Sequence, residues 1–145
     1  ARWESKTSER VKEFDIEPDT RDIVSIMYYL RSKEFAPDEK TQYRVMADEK
    51  LFALYIQARK ISMIKFPAFG KVPCIRLEPQ AAFEGIFVRK GKMSFWVSQD
   101  ERRICTRMMA RVPVANIRLT LAEVHGPGDD FWIQATEQKV SAKGK

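Results

Sequence analysis

Apolar positions along the chain change period twice. From Ala1 to Glu17 they alternate weakly, with Val11, Phe14 and Ile16 set among charges, and predict an extended edge strand. A helical period follows. Ile23, Ile26, Met27 and Leu30 sit at the i, i+3, i+4, i+7 spacing of one buried stripe, and Val24, Tyr28 and Arg31 form a second, more amphipathic one. Pro18-Asp19-Thr20 reads as the helix start, with Asp19 or Thr20 as the cap and Asp22 near the positive end of the dipole. The spacing predicts a helix over residues 21–32, closed by Phe35-Ala36-Pro37-Asp38, because Pro37 disfavours helical backbone at the residue before it.

From Thr41 onward the period is that of strands. Residues 42–47 and 51–56 are predicted to pair across Asp48-Glu49-Lys50. The second run continues to Lys65, but its parity switches. Phe52, Leu54, Ile56 and Ala58 share one phase, whereas Ile61 and Met63 take the other, which predicts a β-bulge near Arg59-Lys60. Residues 66–70 read as a turn and 71–77 as a further strand, with Pro73 at an edge or a bulge. Residues 86–97 read as a hairpin turning at Lys90-Gly91, with Ile86, Val88, Met93, Phe95 and Val97 on one face and Trp96 on the other. After a turn at residues 98–102, Ile104, Thr106, Met108, Ala110 and Val112 point one way, and Arg103, Cys105, Arg107, Met109 and Arg111 the other. The run from Val114 to Val124 places Ala115, Ile117, Leu119 and Leu121 on one face, with Asn116, Arg118 and Thr120 opposite.

Consecutive strands joined by short turns favour an antiparallel meander, and the alternation predicts a sheet packed on one side. The expected fold is mainly β with a minor helical part: a curved antiparallel meander forming an open half-barrel around one helix. Residues 1–130 are read as a single β-rich domain and residues 131–145 as a partly disordered tail, small and basic at its end.

Charge adds an asymmetry. The chain of 145 residues has a formal net charge of +6, but residues 1–50 hold 10 Lys and Arg against 12 Asp and Glu, so the excess lies entirely in residues 51–145. Arg103, Arg107, Arg111 and Arg118 recur near Trp96 and form a candidate anion-binding face for nucleic acid or acidic lipid. A single exposed aromatic is thin support for base stacking, and the same residues serve equally as a solvated outer face.

Other chemistry is sparse. The one histidine, His125, lies in a Gly/Pro-rich turn beside Asp129 and Asp130 at no familiar metal-ligand spacing. No nucleophile elbow, phosphate loop or zinc-protease motif is present. Asp100-Glu101 lie beside Arg102 and Arg103, which is expected to keep them ionised and salt-bridged rather than poised as acids. Cys74 and Cys105 fall on different strands and are read as free thiols, because a bridge needs Cα atoms within about 7 Å. The reading is of a non-enzymatic protein without metal or cofactor. No apolar run approaches the roughly 20 residues of a membrane span, and no apolar leader follows the N-terminus.

Three stretches together resemble a bacterial family, domain of unknown function 3108. They are residues 22–31, ending in Tyr29-Leu30-Arg31; residues 85–103, with a Gly-turn hairpin followed by Trp96, Ser98, Asp100, Arg102 and Arg103; and the strand run from Val112 to Val124. Cys105 stands where a proline is common in that family, and Ala115 where a glycine is common. Further N-terminal strands and an export signal are usual there, so the chain resembles the later part of such a protein. The resemblance implies a β-rich fold and a periplasmic or cell-envelope setting, and it implies no activity.

The facing stripes suggest a groove between helix and sheet for an apolar small molecule, a lipid or a protein partner. Ile26, Met27, Leu30, Phe95, Met108 and Leu119 are its expected lining. An exposed sheet edge would also suit a homodimer.

Overall fold

The computed structural model describes residues 2–5, 8–13, 15–47, 49–81, 92–112, 115–127 and 130–143. Its elements in chain order are β1 (Arg2–Ser5), β2 (Ser8–Glu13), α1 (Ile23–Arg31), β3 (Lys40–Ala47), β4 (Lys50–Phe66), β5 (Gly70–Ala81), β6 (Lys92–Ser98), β7 (Cys105–Val112), β8 (Ala115–Thr120) and α2 (Asp130–Lys143). Strands β3 to β8 form an open six-stranded antiparallel meander in sequence order, and β1 pairs with β2 in a separate two-stranded sheet. The N-terminal alternation thus makes its own hairpin. The predicted turn at Lys90-Gly91 and the partners Ile86 and Val88 lie outside the described residues.

Helix α1 starts two to three residues later than a cap at residues 19–20 suggests, because Asp22 is the cap. Its Oδ1 accepts from the Val24 and Ser25 N–H groups at 2.7 and 2.8 Å, and its Oδ2 from the Ser25 hydroxyl at 2.7 Å. Ser32 closes the helix, five residues before Pro37. The β3–β4 hairpin is tight, with Ala47 opposite Lys50 and Glu49 at φ 63°. At the far end of β4, Phe66 opposes Gly70, which takes φ 76° to turn the chain.

The bulge predicted in β4 is present: the register with β5 slips between Ala58 and Ile61. A slip of this kind reverses which face later side chains occupy. It divides the interior in two. On the α1 side, Ile26 and Leu30 pack with Val45, Leu54, Ile56, Ala58, Ile75, Leu77, Phe95 and Val97. On the opposite side, Phe66, Phe69, Val72, Cys74 and Trp132 form a second buried cluster. The expectation of a sheet packed on a single side is therefore corrected: each face is covered over a different part of its length. The cover on the second face comes from α2, which occupies the stretch read from sequence as a tail. Trp132 anchors it, 1% exposed, with its ring edge-on to Phe69 at 4.9 Å.

Pro73 lies at neither an edge nor a bulge. It is inside β5, between β4 and β6, opposite Met63. Its carbonyl accepts from the Gln99 N–H at 3.1 Å, so its nitrogen faces the β6 side, just beyond the last residue of β6. The missing N–H there forgoes only the return bond to Gln99, beyond the end of β6. The same parity puts the Pro79 nitrogen toward β6. Among the described residues the β5–β6 ladder runs only from Cys74 opposite Ser98 to Leu77 opposite Phe95. The next hydrogen-bonded position is Pro79, which has no N–H to give.

Candidate functional site

Where the β5–β6 ladder ends, α1 crosses the sheet over an apolar groove. Ile23, Ile26, Met27 and Leu30 of α1 face Val45, Leu54, Ile56, Pro79 and Phe95 around a cavity of about 30 Å³. That is room for about two water molecules, but every lining side chain is apolar and offers a water no hydrogen bond. The helix is fastened at its ends. At the N-terminal side, Arg21 bridges to β3, its N–H donating to Arg44 O at 3.2 Å and its carbonyl accepting from the Met46 N–H at 2.8 Å. At the C-terminal side, Arg31 donates from Nε and Nη2 to Arg102 O at 3.2 and 3.1 Å, and Arg103 pairs with Glu34 at 2.5 Å.

Of the six expected lining residues, Ile26, Met27, Leu30 and Phe95 meet at this cavity. Met108 packs half-buried against the same core without lining the cavity. Leu119 lies farther out on edge strand β8, 57% exposed. The register explains the series. Ala58, Leu77, Phe95, Met108 and Leu119 form one row across five strands, and Ala110 and Ile117 sit in the next row on the same face. Burial falls along that row toward β8, where Ile117 is 50% exposed. The apolar face therefore continues past α1 without a cover among the described residues. Sequence reasoning missed Ile23, Val45, Leu54, Ile56 and Pro79 as lining residues. Ile23 belonged to the stripe already identified, and the rest follow only once the β3–β5 register is known.

The four candidate arginines do not share one face. The β6–β7 register slips between Trp96 opposite Arg107 and Val97 opposite Cys105, which leaves Thr106 as an extra residue. Because of that bulge Cys105 packs with the α1-side core and Ile104 with the other, the reverse of the predicted parity. Arg103 turns to Glu34 beside α1, while Arg107, Arg111 and Arg118 stay on the opposite face. Arg107 is used in packing: its guanidinium lies 5.0 Å from the Phe66 ring and 5.9 Å from Trp96, and Nη2 donates to Lys65 O at 3.1 Å. Arg111 and Arg118 are exposed.

The turn at residues 98–104 is a fastening rather than an acid pair. One carboxylate oxygen of Asp100 accepts from the buried Ser98 hydroxyl, and the other accepts from Trp132 Nε1 at 3.1 Å. Its partners are thus a hydroxyl and an indole, where ion pairs with the adjacent arginines were expected. Arg102 donates to His125 O at 3.2 Å. The His125 ring pairs with Glu123 at 3.1 Å on the exposed surface, and no cluster of metal-ligating side chains occurs among the described residues. Both cysteines are free. Cys74 lies in the α2-side core and Cys105 against the α1-side core, and burial pushes both thiols up from their ordinary pKa. No helix is long and apolar enough to cross a membrane among the described residues.

No curated protein and no solved structure gives a significant match. One family does, described as protein of unknown function (DUF3108), over residues 2–122. The match takes in α1, the whole meander and the Ser98–Arg103 fastening, and stops short of α2. The chain belongs to the DUF3108 family.

Proposed function

We propose that this protein is a non-enzymatic binding protein of the bacterial cell envelope, taking an apolar ligand into the groove between α1 and the sheet. The envelope setting rests on the family resemblance. The observation that carries the binding reading is the wholly apolar cavity under α1, continuous in register with the half-buried Met108 and the exposed Ile117 and Leu119. At about 30 Å³ the cavity is far smaller than the roughly 300–1,000 Å³ of an ordinary ligand site, so the helix must move to admit a ligand. Its arrangement suits that motion: polar ties hold its ends while its middle stands over a void. Met27 adds an adaptable side chain to the lining.

The anion-binding alternative draws less from the geometry, because Arg103 is paired with Glu34 and Arg107 is stacked on two rings. Native mass spectrometry of protein purified without detergent, followed by organic extraction, tests the main reading. The expected result is a co-purifying apolar molecule at up to one per chain, or uptake of added oleate. A bare chain mass that oleate leaves unchanged contradicts it.

A further inference from the structure

Strand β8 forms one margin of the meander, and its side chains are exposed throughout. The Leu121 N–H donates to Thr106 O at 2.8 Å, which fixes the phase of the β7–β8 ladder. Ala115, Ile117 and Leu119 then exchange hydrogen bonds with β7, and Asn116, Arg118 and Thr120 turn their N–H and C=O groups outward. Among the described residues nothing pairs with these groups. The opposite margin differs, since Arg21 already occupies the outer side of β3. The usual protections of an edge are also absent from β8. It has no proline and no register slip, and its one charge, Arg118, points to the face away from Ile117 and Leu119.

We propose that β8 is a pairing edge whose partner is the β8 strand of a second copy, antiparallel about a two-fold axis at Ile117. The strand is self-complementary in this register. The outward groups of Asn116 bond those of Arg118 in the second copy, so each guanidinium faces an amide. Ile117 faces its own copy at a close, non-hydrogen-bonded position, and Leu119 faces the small Ala115. An axis at Arg118 gives equal overlap but sets two guanidinium groups directly opposite each other, which disfavours it. Pairing places the half-exposed Ile117 and Leu119 of both copies on one continuous apolar face and joins two meanders into a single sheet. This inference is independent of ligand binding.

Arg118→Pro is the discriminating variant, because it removes an outward N–H and leaves the β7 ladder intact. Sedimentation over rising concentration should show the wild-type mass climbing from 16.9 kDa toward twice that value, with Arg118→Pro remaining monomeric and Arg118→Ala still pairing. Ile117→Cys reads the register independently of any folding defect in the proline variant. Under mild oxidation it should give a covalent dimer well above the wild-type background, and Leu119→Cys should not. A wild-type chain that stays at 16.9 kDa overturns the proposal. So does undiminished association of a folded Arg118→Pro variant, or cross-linking as strong through residue 119 as through residue 117.

Discussion

At the scale of single residues, Asp100 and Trp132 show how a motif can be visible and its purpose hidden. The Trp96-to-Arg103 stretch stands out in the sequence, yet the indole that Asp100 accepts from lies 32 positions later, beyond the family match. No periodicity connects them. Trp132 is 1% exposed, so Trp132→Ala should cost about 3–5 kcal/mol in urea unfolding. Trp132→Phe keeps a ring against Phe69 but gives Asp100 no donor, and should cost less than the alanine variant. Equal losses would mean that the hydrogen bond, not the burial, seats the helix.

Asp22 makes a second residue-scale case. The Ser25 hydroxyl and N–H, and then the Val24 N–H, hold its carboxyl below the ordinary value of 3.8. A depressed folded-state pKa gives stability that is present above 3.8 and lost as pH falls through the folded value. Asp22→Ala should therefore cost about 1 kcal/mol at neutral pH. Urea midpoints for the two proteins should converge as the solution is acidified below 3.8, and a gap that persists unchanged there contradicts the capping account.

At the scale of elements, two bulges decide which side chains meet, and only one is legible in the sequence. In β4 the apolar residues themselves change phase, from Ala58 to Ile61, and announce the slip. In β7 they do not. Ile104, Thr106 and Met108 keep a plausible alternation straight through the extra residue, because Ile104 finds a second core and Thr106 is small enough to be buried with Cys74. That second core is the missing knowledge: α2 was read as a tail because its apolar residues make no helical stripe. Deleting Lys60 should remove the β4 bulge yet keep Ile64 opposite Val72 and on the Trp132 side, because the deletion puts Ala58 and Ile61 in plain alternation. The expected result is a folded variant that keeps its near-ultraviolet circular dichroism and unfolds cooperatively, as Lys60→Ala does. Loss of cooperative unfolding in the deletion variant alone would show that the bulge does more than set the phase of Ile64 and Phe66.

At the scale of the whole molecule, the meander and the helix α1 that covers one of its faces follow from period, turn residues and parity. The groove follows from them as well, because the stripe at Ile26, Met27 and Leu30 must face the strand set that includes Phe95. The cavity's size and its position at the Pro79 gap do not follow, since they depend on where the β5–β6 ladder stops. In the proposed binding mode, α1 yields to let an apolar molecule into that gap. Fluorescence titration with N-phenylnaphthylamine probes this motion, comparing the wild type with Met27→Trp, whose larger side chain fills the cavity. Saturable binding near one probe per chain is expected, displaced by oleate, and weakened at least tenfold in a Met27→Trp protein that still unfolds cooperatively. Non-saturable fluorescence, or equal binding by the two proteins, would contradict it.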